Sequence, residues 1–146
     1  MQGNEYRDCV AVYLARQLDR DAIEVKTEIT LGRSILGKMR RVDVLLTSAG
    51  GALAIETKHQ DTPGTAEEKV FYALADLAAM PVPGVLVYGG GGWSDGARHY
   101  LDAHPAAVYY PSDNWAMRSG PATREIDTMI ATRFKLWRFL CPPELF

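Results

Sequence analysis

Two strand-like runs, 41–47 and 52–58, flank the turn signal Ser48-Ala49-Gly50-Gly51. This hairpin constrains the fold more tightly than any other feature of the chain. Side chains alternate faces along a strand, so the position of the turn fixes which residues meet across the pair. With the turn centred between Ala49 and Gly50, Thr47 faces Ala52, Leu45 faces Ala54 and Asp43 faces Glu56. Directly opposed residues share a face, with Cβ atoms about 4.5–5.5 Å apart. Period two then places Lys58 on that face beside Glu56. Two carboxylates and an amine converge at one end of the hairpin, flanked by apolar residues such as Val44 and Ile55.

The periodicities on either side give the hairpin its context. Tyr6, Cys9, Val10, Tyr13, Leu14 and Leu18 recur at helical spacing, which predicts a helix over roughly 4–18. Residues 24–31 alternate with period two and read as a strand, and 32–40 as a turn or loop. After a loop at 61–64, Thr65 reads as an N-cap, with Glu68 completing a capping box. Val70, Phe71, Leu74, Leu77 and Ala78 mark the buried face of the helix that follows, and Pro81 and Pro83 end it. The continuous apolar run at 84–88 is the pattern of a strand buried on both faces. Gly89 to Gly92 form a loop with Trp93 packed behind it; no Gly-Lys-Ser/Thr follows, so it is not a P-loop. Ser94 or Asp95 starts a short helix through Ala103, and Val108-Tyr109-Tyr110 makes a fifth strand. Ile126, Met129, Ile130, Arg133, Phe134 and Trp137 trace a last helix, with Trp137 in the core rather than stacked on a base. The expected fold is α/β: one domain over all 146 residues, with a mixed central sheet flanked by helices.

A formal net charge of −2 excludes a globally basic nucleic-acid binder, so any basic surface is local. The two cysteines, Cys9 and Cys141, share no metal-ligand spacing and read as core-type thiols of a reducing compartment. The N-terminus carries no apolar signal region, and no apolar run approaches membrane-spanning length. The expectation is a soluble cytoplasmic protein with no membrane partner.

The paired acids carry the chemistry. Opposed carboxylates repel at a cost of up to about 1 kcal/mol, which a divalent cation removes. Oxygen ligands favour a hard ion such as Mg²⁺, which keeps several waters. A metal held by Asp43 and Glu56 can stabilise a phosphoryl oxygen and lower the pKa of an attacking water. Lys58 can orient that water or neutralise the phosphate in the transition state. The competing interpretation is a solvated sheet face on which Lys58 is only a charge mate of the two acids.

These residues also carry a resemblance. Asp43 on the second strand, Glu56-Thr57-Lys58 on the third, and the order helix, three strands, helix, strand from Asn4 to Tyr88 resemble the PD-(D/E)XK nuclease superfamily. The likeness is to restriction-endonuclease-like members of phage or restriction type, and it covers roughly the first 100 residues. The proline of the superfamily's name is Val42 here, Gln60 fits an E-x-K-x-Q extension, and 64–69 and 85–93 look like segments of such enzymes. The resemblance implies a restriction-endonuclease-like core and a Mg²⁺-dependent deoxyribonuclease, with Mn²⁺ as substitute, that cuts DNA phosphodiester bonds as an endonuclease. It implies Asp43, Glu56, Lys58 and Gln60 as the catalytic set. It implies Asp43, Glu56, Thr57 and a first-helix acid, Glu5, around the metal. Glu5 reads equally as a charge favourable to the helix dipole, and Gln60 as the end of the strand. His59 points to the face opposite Lys58.

For the substrate, Arg33, Lys38, Arg40 and Arg41 form an acid-free segment suited to phosphate contacts, or else an ordinary solvated loop. Lys69 stands in the first turn of the second helix, where the dipole disfavours a cation, so a phosphate or an acid such as Glu5 would partner it. No separate specificity domain is visible, and cutting both DNA strands would take a homodimer with one core per strand. Two rival functions remain: a nucleic-acid-binding module of this fold that no longer cuts, and a protein-interaction domain.

Overall fold

The computed structural model describes residues 1, 3–111 and 118–140. Helix α1 (Gly3–Gln17) buries Tyr6, Cys9, Val10, Tyr13 and Leu14. Three strands follow in antiparallel succession, β1 (Glu24–Arg33), β2 (Met39–Ser48) and β3 (Gly51–His59). Helix α2 (Ala66–Ala78) crosses to β4 (Gly84–Gly89), which lies parallel to β3. Helix α3 (Asp95–Ala103) crosses to β5 (Ala107–Tyr109), parallel to β4, and α4 (Arg124–Phe134) is the last α-helix among the described residues. Spatial order is β1-β2-β3-β4-β5. The order of periodicities predicts this mixed sheet with flanking helices, and the arrangement is the restriction-endonuclease-like architecture that the resemblance implies. Among the described residues no helix is long and apolar enough to cross a membrane.

Two layers follow from strand alternation. Val44, Leu46, Leu53, Ile55, Val85 and Val87 pack against α1 and α4 on one face. Leu86 and Tyr88 pack against α2 and α3 on the other. Strand β4 is therefore covered on both sides, which is why its sequence is a continuous apolar run. Cys9 lies in the first of these cores, as expected, and Cys141 lies outside the described residues.

Four local expectations are corrected. The turn or loop expected over 32–40 is a turn, but shorter than that span, because β1 runs to Arg33 and β2 begins at Met39. A short turn joins them, closed by Ser34 N–H donating to Lys38 O (2.7 Å) and by Gly37 at φ +77°. Thr65 forms no capping box: its φ/ψ of −91°/−4° is already helical and its side chain makes no cap bond. The Ala66 N–H donates instead to Gln60 Oε1 at 3.0 Å, so a strand-end amide caps α2. Phe71 and Ala78 are exposed, and Ala73 joins Val70, Leu74 and Leu77 on a narrower buried stripe. Trp137 is 52% exposed rather than core. Helix α4 stops at Phe134 because Lys135 turns left-handed (φ +58°), and Trp137 falls in a short 3₁₀ turn beyond it.

Candidate active site

The hairpin adopts the register expected from its turn, with Thr47 opposite Ala52 and Leu45 opposite Ala54. The regular ladder ends at the pair Val44 and Ile55, one position short of Asp43 and Glu56. There the Asp43 side chain takes over from the backbone. Its Oδ2 accepts from the Thr57 N–H at 2.8 Å and from the Thr57 hydroxyl at 2.9 Å. Strand β3 thus fixes the position of the acid on β2. On the groove side, Lys58 Nζ donates to Glu56 Oε1 at 3.1 Å, and both side chains are only 23% exposed. Burial pushes the Glu56 carboxyl from 4.5 up to about 7, the Asp43 charge adds to the rise, and Lys58 opposes it. The lysine does not offset the cost of holding a second carboxylate in this half-buried place.

The donor chemistry fits a hard divalent cation. Two carboxylates share one site at a cost that a cation would relieve, and Mg²⁺ commonly uses one or two carboxylates while keeping waters. Among the described residues no third His, Cys, Asp or Glu joins them. Glu5, expected from the resemblance, is exposed in the first turn of α1, close to the N-terminal ammonium. The inward position on that turn belongs to Tyr6, whose hydroxyl donates to Tyr110 O at 3.0 Å. Thr57 does stand at the site, with its side chain committed to Asp43.

Gln60 is 5% exposed and serves the framework. Its Nε2 donates to Gly92 O at 2.9 Å while its Oε1 caps α2, so one amide joins β3, α2 and the loop after β4. That loop approaches so closely because it is glycine: Gly90 has φ +92°, and a Cβ there would lie 2.3 Å from Gln60 O. His59 is turned away from Lys58, against the Tyr6 ring at 5.0 Å and 3.2 Å from Asp61.

A groove of about 300 Å³ runs past Glu56 and Lys58 between the sheet and α2. Of the cations expected to meet phosphate, Lys38, Arg41 and Lys69 line it. Arg40 borders it too, but is 6% exposed and holds Asp76 through two hydrogen bonds, Nε to Oδ2 at 3.1 Å and Nη2 to Oδ1 at 3.0 Å. Arg33 donates to Gly37 O at 2.9 Å and braces the turn. A larger cavity of about 510 Å³, lined by β4, β5 and α4, contains a single carboxylate, Glu125, and no paired acids.

Residues not anticipated from the sequence are Asp76, Tyr72 and Met39 along the groove, and Arg7, which pairs with Glu28 at 2.7 Å. A signal for Asp76 existed: it sits between Ala73 and Leu77 on the apolar stripe of α2, where a lone acid needs a cation. The acid-free basic segment 33–41 could have supplied one.

Residues 2–137 match the family model for a PD-(D/E)XK nuclease superfamily domain. That span extends through α4, well past the segment that carries the motif. No curated protein matches the sequence significantly. Among solved structures, the protein of unknown function AF1548 is similar at 16% identity and TM-score 0.50, covering 87% of this chain and 66% of that one. An XisH family protein from Nostoc punctiforme is similar at 14% identity and TM-score 0.48, over 74% of this chain and 91% of that one. A repair endonuclease from Pyrococcus abyssi is similar at 12% identity and TM-score 0.43, over 78% of this chain and 48% of that one. At such identities the first of these shares the fold, and this chain spans just under two thirds of its length.

Proposed function

The chain belongs to the PD-(D/E)XK nuclease superfamily, and from that premise we propose that it is a metal-dependent nuclease that hydrolyses DNA phosphodiester bonds, acting as an endonuclease. The observation that carries the reading is the Asp43–Glu56–Lys58 constellation, anchored by Thr57 and opening on a groove lined by Lys38, Arg41 and Lys69. An intact acid, acid and lysine set is the chemistry of phosphodiester hydrolysis rather than of passive binding.

Asp43 and Glu56 would hold Mg²⁺ or Mn²⁺, which supplies Lewis-acid stabilisation of the phosphoryl oxygen and a lower pKa for the attacking water. The remaining work falls to the chain itself. Thr57 holds Asp43 in one orientation, so little ordering is needed at the moment of reaction. Lys58 rests on Glu56, and with that carboxylate engaged by a cation its Nζ can turn to the phosphate or the attacking water. Lys38, Arg41 and Lys69 neutralise the backbone of the bound strand and set affinity rather than sequence choice. Gln60 positions the end of β3 rather than touching substrate. The 146 residues act as one domain, and two copies would be needed to cut both strands of a duplex.

Incubation with plasmid, linear duplex, single-stranded and branched DNA in Mg²⁺, Mn²⁺ or EDTA tests the proposal. Cleavage that needs the metal supports it. Binding without cleavage in any metal would identify a binding module, and no binding of any DNA or RNA at low salt would identify a protein-interaction domain.

A further inference from the structure

The turn between β1 and β2 carries side chains that a solvated loop does not need. Ile35, Leu36 and Met39 are 49%, 65% and 63% exposed at the tip and shoulder of this hairpin. Clustered apolar side chains at an exposed tip mark a contact site more often than chance exposure does. The tip is also pre-ordered. Gly37 N–H donates to Ser34 O at 2.9 Å, Leu36 N–H to Ser34 Oγ at 3.2 Å, and Ile35 N–H reaches across to Asp76 on α2 at 3.0 Å. Asp76 is itself clamped by Arg40, so the turn is tied to the helix that walls the groove. A tip held this way loses little further entropy when it inserts into a partner.

Charge identifies the partner. Lys38 and Arg41 line the groove from this hairpin and Lys69 faces it from α2, while Arg40 is held by Asp76 and Arg33 by the turn itself. An apolar protein surface would not call for this basic collar, whereas a phosphate backbone does. Leu, Ile and Met are also the side chains that proteins drive between base steps. Ser34, Lys38 and Met39, which flank the tip, line the same groove as Glu56 and Lys58, so a strand bound there would pass beside the tip.

We propose that the β1–β2 turn is an apolar wedge that enters the base stack of DNA lying in the groove, so that the protein acts on duplex at a step it has itself unstacked. The proposal rests on the reading of the groove as a nucleic-acid site.

A set of short duplexes, each carrying 2-aminopurine at a different step, tests the wedge in Ca²⁺, which allows binding to be read apart from cutting. Wild type should raise the fluorescence at one step, and the double variant Ile35→Ser, Leu36→Ser should lose the rise. In Mg²⁺ the variant should cut intact duplex roughly tenfold more slowly or worse, because the step must then open without the wedge. A mismatch placed at the opened step should restore cutting. Circular dichroism melts establish that the variant is folded. Equal fluorescence and equal cutting in wild type and a folded variant overturn the wedge. So does a variant that only loses self-association in light scattering, which makes the tip a contact between two copies. A fluorescence rise without cleavage in any metal keeps the wedge and removes the nuclease reading; cleavage without a rise does the reverse.

Discussion

Oδ2 of Asp43 accepts both the backbone N–H and the hydroxyl of Thr57, at 2.8 and 2.9 Å, just where the β2–β3 ladder stops. A carboxylate therefore does the work of a ladder carbonyl. The acid on one strand is held by the strand that carries Glu56 and Lys58, and the spacing of the three groups follows from that bond.

Asp43→Asn separates charge from anchorage. The amide oxygen still accepts from Thr57, and the repulsion with Glu56 is gone. The metal-free variant should melt at or slightly above the wild-type temperature, with cleavage abolished. Asp43→Ala leaves the Thr57 N–H without its acceptor and should lose about 1–3 kcal/mol. Thermal melts of both variants check this, and a clear loss in Asp43→Asn would make the charge itself structural, for instance through a pairing with Arg41.

Glu56 makes stability depend on pH with a defined sign. Its folded pKa is raised from 4.5 to about 7, so folding favours the protonated carboxyl. Its stabilising contribution is complete below about pH 4.5 and is lost as pH rises through 7. The size is on the order of 3 kcal/mol for the whole shift. Melts of the metal-free protein between pH 5 and 8 should show a downward slope that Glu56→Gln flattens and that saturating Mg²⁺ reduces. Metal affinity should climb over the same interval, because the ion needs the ionised carboxylate. Identical slopes in wild type and Glu56→Gln would show that Glu56 titrates elsewhere.

Two cations of the groove should respond oppositely to removal. Arg40 is buried on Asp76, so Arg40→Ala strands a half-buried carboxylate and should destabilise the fold by roughly 3–5 kcal/mol. Lys69 is exposed on the groove wall, so Lys69→Ala should leave the melt unchanged and lower the salt slope of DNA binding by about 0.9. Denaturant titration and binding at several salt concentrations separate the two. A change in DNA salt slope for a stably folded Arg40→Ala would place that guanidinium on the phosphate instead.

The hairpin, the element order and the convergence of Asp43, Glu56 and Lys58 were legible because strand period and turn position are local properties of the sequence. Strand β4 was legible because burial on both faces leaves no polar position. What escaped depends on partners far along the chain. Gln60 caps α2 and grips Gly92, a role that helical periodicity cannot reveal and that Thr65 imitated in the sequence. Arg40 looked like its basic neighbours, and only the packing of the hairpin on α2 brings Asp76 to it. Glu5 borders the buried face of α1, yet Tyr6 occupies the inward position. Trp137 shares its spacing with Phe134 and Ile130, but the left-handed Lys135 breaks the helix first.

Single-turnover cleavage by wild type and Lys58→Met, with DNA binding measured in parallel in Ca²⁺, tests the central claim most directly. Methionine keeps the bulk of the side chain and removes the charge that rests on Glu56. Wild type should cut in Mg²⁺ and not in EDTA. Lys58→Met should bind DNA almost as well, one phosphate contact being a small part of the total. It should cut roughly 100-fold more slowly or worse, the scale for losing one transition-state donor. Undiminished cutting in EDTA, or by Lys58→Met, would contradict a metal-dependent reaction centred on Asp43, Glu56 and Lys58.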